Sequence, residues 1–104
     1  MAEWTILSNH GRALLSIARD PAVRLRDIAA DLNITERRAY DIVKDLSDAG
    51  YVVKEKDGRR NRYEIQHHLP FPEDLGREQE VGEMLRLLVG REATSQSKIK
   101  RKGR

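Results

Sequence analysis

The stretch Leu25 to Ile65, LRDIAADLNITERRAYDIVKDLSDAGYVVKEKDGRRNRYEI, decides the fold. Residues 26–32 place Ile28, Ala29 and Leu32 on one helical face. Asn33 follows, a residue that tolerates the left-handed conformation at a helix end. Ile34 puts an apolar side chain inside the turn, and Thr35 is an N-cap for the next helix. The spacing of Ala39, Ile42, Val43 and Leu46 predicts that helix over residues 36–49, with Gly50 as its stop. Residues 51–55 and 62–66 read as strands around a turn at 56–61 that contains Asp57-Gly58. Tyr63 and Ile65 fall on one face of the second strand. Ala29, Ala30 and Ala39 are small where two steeply crossing helices approach closely.

Outward from this unit, residues 4–18 carry a broad apolar stripe that includes Trp4, Leu7, Leu14, Leu15 and Ala18. A helix is expected there, ended by Asp20-Pro21, because the residue before a proline is pushed out of the α region. Val23 to Leu25 reads as extended. Residues 67–72 form a connector stiffened by Pro70 and Pro72. A last helix is expected over 73–89, with acidic Glu73 and Asp74 at its start and an apolar C-terminal half. Three parts follow: a reading domain over 1–72, a helix over 73–90, and a polar, disordered tail over 91–104.

The length of 104 residues suits one small core, and no large enzyme cleft. The net charge of +3 is misleading. In the tail, Arg91, Lys98, Lys100, Arg101, Lys102 and Arg104 face only Glu92, a surplus of five, so the first 90 residues sum to −2. Overall basicity therefore argues nothing about nucleic acid; the position of charges within the body must. The absence of cysteine excludes a disulfide framework, a cysteine-ligated zinc site and a thiol switch. No apolar run approaches the roughly 20 residues of a membrane span, and the start does not read as a secretory leader. A cytoplasmic, nucleoid-associated protein is the expectation.

Residues 25–65 resemble the winged helix-turn-helix regulators of the MarR and ArsR type. The resemblance rests on the Leu32-Asn33-Ile34-Thr35 turn, the apolar positions 39, 42, 43 and 46, the Ala49-Gly50-Tyr51-Val52 link and the basic hairpin. It implies an α+β, mainly helical fold: a three-helix core with a hairpin wing and a C-terminal dimerisation helix. It also implies a sequence-specific regulator of transcription, a repressor, on double-stranded DNA. The second helix of such a pair presents its first turns to base edges. Thr35 would cap that helix and donate to a phosphate. Arg37 and Arg38 would reach guanine, Tyr40 a thymine methyl or a phosphate, and Lys44 a phosphate. In the wing, Lys56, Arg59, Arg60 and Arg62 would track the backbone or enter the minor groove. Glu36 and Asp41 depart from a purely basic reading face.

The terminal helices carry more apolar surface than so small a core needs. A homodimer is expected through Trp4, Leu7, Val81, Met84, Leu85 and Leu88. His67-His68 is a poor metal site, since neighbours in an extended connector point opposite ways. Neither a phosphate-binding glycine loop nor a nucleophile elbow is present, so neither catalysis nor a cofactor is expected. Whether an effector binds is not readable. Two other readings remain open: a winged helix that binds protein, favoured by the acidic body, and an architectural protein that binds DNA through the tail.

Overall fold

The computed structural model describes residues 4–58 and 60–89. The chain divides into two compact units, Met1–Ile65 and Gln66–Arg104. The expected boundary at 72/73 lies within the second of these units. The tail from residue 91 and Arg59 lie outside the described residues.

The first unit contains helices α1 (Asn9–Arg19), α2 (Leu25–Leu32) and α3 (Glu36–Asp48), then strands β1 (Val52–Asp57) and β2 (Arg60–Ile65). Helix α1 starts five residues later than its apolar stripe suggested. The Ser8 hydroxyl accepts from the Gly11 amide at 3.2 Å and sets the start. Upstream, the Thr5 hydroxyl donates to the Leu7 carbonyl at 2.8 Å, a local bond that competes with helix. Trp4 and Ile6 are left 69% and 85% exposed. At the other end Asp20 is extended, and its carboxylate accepts from the Ala22 amide at 3.0 Å.

The turn between α2 and α3 follows its residues closely. Asn33 sits at φ 59°, ψ 51°, in the left-handed region. Its amide donates to Ala30 O at 3.2 Å, and the Ile34 amide donates to Ala29 O at 2.9 Å. These two bonds satisfy carbonyls that the helix end would otherwise orphan. Thr35 Oγ1 then accepts from the Arg38 amide at 3.0 Å, so one helix ends and the next begins within three residues. Gly50, at φ 88°, turns the chain into β1.

The core of this unit is aliphatic. Leu14 and Ile17 of α1 are buried, as are Ile28 and Leu32 of α2 and Ala39, Ile42, Val43 and Leu46 of α3. Val52, Tyr63 and Ile65 complete it from the hairpin. Each buried Leu or Ile contributes about 1.5–3 kcal/mol relative to exposure. The hairpin is longer and tighter than expected. Its antiparallel register runs from Val52 opposite Ile65 to Asp57 opposite Arg60. That leaves only Gly58 and Arg59 between the strands, with Gly58 at φ 70°. Residues 56, 57, 60 and 61 are therefore strand, not turn.

The second unit departs most from expectation. Its helix α4 spans Val81–Val89, nine residues, not 73–89. Residues 73–80 fold back instead. The Asp74 carboxylate accepts from the Gly76 amide at 2.8 Å, and Gly76 lies at φ 89°. Phe71 N donates to Gln79 O at 3.3 Å, and Val81 N donates to Leu69 O at 2.8 Å. Pro70 and Glu80 form an antiparallel bridge between these bonds. Gly82 packs directly on His67, donating its amide to His67 O at 2.9 Å. Val81 and Leu85, two of the side chains expected at a dimer face, are each 2% exposed. Leu87, at 79% exposure, and Leu88 stay open.

Candidate nucleic-acid interface

The α3 face opposite the buried Ala39, Ile42, Val43 and Leu46 carries Arg37, Asp41, Lys44 and Asp48 in a line. Their signs alternate. Arg37 pairs with Asp41 at 3.6 Å, and Lys44 pairs with Asp48 at 3.0 Å. The hydrogen bond and charge of Asp48 raise the Lys44 pKa above its ordinary value. Arg38, on one flank, is exposed and makes no side-chain ion pair among the described residues. Tyr40 is exposed on the other flank. Thr35 Oγ1 accepts the capping bond and keeps its own proton to donate.

Three cations on α3 (Arg37, Arg38 and Lys44) face four carboxylates (Glu36, Asp41, Asp45 and Asp48). The helix is slightly acidic. Asp45 is tied to α1, where His10 Nε2 lies 2.8 Å from its Oδ2. This bond between elements 35 residues apart left no sequence signal.

Positive charge accumulates beside α3 rather than on it. An open depression of about 500 Å3 lies between the start of α2, the start of α3 and strand β2. Arg24, Arg26, Glu36, Asn61 and Tyr63 line it. The hairpin register puts Lys54 opposite Tyr63 and Lys56 opposite Asn61, on the same sheet face as those two lining residues. Arg24 and Arg26 were not anticipated as candidates from the sequence. They lie in and before the first turn of α2, where Arg24 occupies the N-cap position without a side-chain capping bond. Their signal was present as two basic residues at the start of the first helix of the pair.

Of the wing candidates, Lys56 and Arg62 are exposed. Arg62 stands opposite Glu55 in the register. Arg60 stands opposite Asp57 in the register, and Arg59 lies outside the described residues. His67 and His68 are exposed. Among the described residues no group of three His, Asp or Glu side chains is arranged to hold a metal, and no helix is long and apolar enough to cross a membrane.

Residues 9–67 match the family described as sugar-specific transcriptional regulator TrmB. No curated protein and no solved structure matches the chain. The matching family is thus TrmB, where residues 25–65 alone resembled the MarR and ArsR type. The match begins at the first residue of α1, takes in all three helices and the wing, and covers more than half of the chain. The chain therefore belongs to the TrmB family and is a DNA-binding transcriptional regulator of the winged-helix type.

Proposed function

We propose that this regulator reads a specific duplex sequence as a homodimer, with α3 in the major groove, and represses transcription from that site. The observation that carries the reading is the first turn of α3. Thr35 caps it, and Arg37 and Arg38 stand exposed beside it. An arginine so placed can pair with guanine O6 and N7. Tyr40 and Lys44 extend the contact along the helix. Lys56, Arg59, Arg60 and Arg62 of the wing hold the flanking backbone. Arg24 and Arg26, in the depression beside α3, take further phosphates.

A single reading helix covers few base pairs, so a two-fold repeat supplies both affinity and specificity. Leu87 and Leu88 of α4 are the apolar side chains left for the dimer contact, together with half-buried Met84 and Leu7 and exposed Trp4. The family's description points to a sugar as the class of effector. A cytoplasmic, nucleoid-associated location goes with this role.

Selection from a random duplex pool tests the reading. An enriched inverted repeat supports both base readout and the dimer. An enriched single half-site supports readout without the dimer. The slight acidity of α3 favours one competing reading, a winged helix that docks on protein. Binding to duplex DNA that is absent, or unchanged by salt, would favour that second reading.

A further inference from the structure

The outer line of α3 alternates cation and carboxylate, and its first pair has a particular geometry. Arg37 and Asp41 lie one helical turn apart, and their closest approach is Nε to Oδ1 at 3.6 Å. Neither Nη group of Arg37 has a hydrogen-bond partner among the described residues. The exposed guanidinium thus turns its inner edge toward the carboxylate, while its outer fork stays open. That fork is the part that matches guanine O6 and N7. Asp41 also sits between Arg37 and Lys44 on the exposed face, where a phosphate approaching either cation meets its negative charge.

Taking the DNA-reading role of α3 as given, we propose that Asp41 is a positioning residue for base readout. Its carboxylate steadies Arg37 for a guanine and opposes contact between the same arginine and the phosphate backbone. A lone arginine on a helix surface is indiscriminate, because every duplex offers phosphates and the side chain is long enough to swing to them. The ion pair restricts that swing. A guanine leaves it intact, because the fork can dock while Nε stays beside Asp41. A phosphate contact either breaks the pair or brings the carboxylate close to the polyanion. The pair thus costs more at random sequence than at a site carrying guanine. Lys44 and Asp48 repeat the arrangement two turns along, with a hydrogen bond of 3.0 Å.

The test uses the full chain and the duplex enriched by the wild type from a random pool. Asp41→Asn removes the charge while keeping the shape. Guanine preference at the position lost in Arg37→Ala should fall about twofold, the scale of one exposed i,i+4 pair. Affinity for random duplex should rise severalfold, and the salt dependence should steepen by about 0.9 in slope as one more phosphate contact forms. Asp41→Glu should restore both, and Asp41→Asn should change no base preference when Arg37 is already Ala. Loss of a merely structural role would lower affinity for all sequences and leave the slope alone. A wild type that enriches a sequence while Asp41→Asn keeps its guanine preference and slope overturns this inference alone. A wild type that enriches nothing overturns the reading and the inference together.

Discussion

The amide of Tyr63, in the middle of β2, donates to the carbonyl of Pro21 at 2.9 Å. Pro21 belongs to the link between α1 and α2. The bond therefore fastens the base of the wing to the segment that leads into the reading pair. It also explains why Arg24 and Arg26, just beyond that segment, share a depression with Asn61 and Tyr63 of the hairpin.

The ring of Tyr63 lies at this junction, and burial raises its pKa from the usual 10.0. Below about pH 10 both folded and unfolded chains hold the phenol proton, and the neutral ring contributes its full packing. Above that value the unfolded chain releases the proton first, so stability falls as pH rises through the folded pKa. Urea denaturation from pH 9 upward should show this fall. Tyr63→Phe should flatten it, and an unchanged slope in that variant would exclude Tyr63 as its source.

Thr35→Ala removes the acceptor for the Arg38 amide and should cost about 1 kcal/mol of stability. Thr35→Ser should recover most of it. Thermal denaturation measures the difference. Equal melting temperatures for all three proteins would show that the cap contributes nothing.

Arg24→Ala and Arg26→Ala should each weaken binding to every duplex alike. Each should also reduce the salt slope by about 0.9, as expected for a phosphate contact. Binding titrations between 50 and 200 mM salt, on the selected site and on random duplex, read both effects. A change in base preference would instead assign the residue to a base edge.

Gly82→Ala should disturb the second unit. A Cβ at that position would lie 2.7 Å from His67 Cβ and 2.8 Å from His67 O, closer than van der Waals contact allows. The backbone oxygen cannot swing away as a side-chain tip does, so a cost of about 1–3 kcal/mol is expected. Hydrogen exchange on the α4 amides should accelerate. Wild-type protection in the variant would mean that the helix shifts freely on His67.

The helix-turn-helix was legible because its signals are short-ranged. Asn33, Thr35 and Gly50 each act through hydrogen bonds within five residues, and the apolar spacing of 39, 42, 43 and 46 needs only one helix to be read. The pairing of Arg37 with Asp41 is likewise contained in a four-residue interval. Helix α4 shows the opposite case. Residues 73–80 are polar enough for a helix start, yet Gly76 and the bonds from 69–71 to 79–81 draw them into a fold-back. Periodicity also extended α1 to Trp4, and the Ser8 cap ended it.

By itself, then, the sequence determined the reading pair, the wing and the charges available to them, because local hydrogen bonds and helical spacing suffice for these. Only the tertiary structure decided which of those charges share a surface. Arg24 and Asn61 are 37 positions apart, and they line one depression because Tyr63 bonds to Pro21 and because α2 and the hairpin both pack on α1 and α3. Likewise, no periodicity reveals that Val81 and Leu85 are spent on burial while Leu87 and Leu88 remain exposed. Burial depends on what a helix packs against, and that is set by contacts far along the chain.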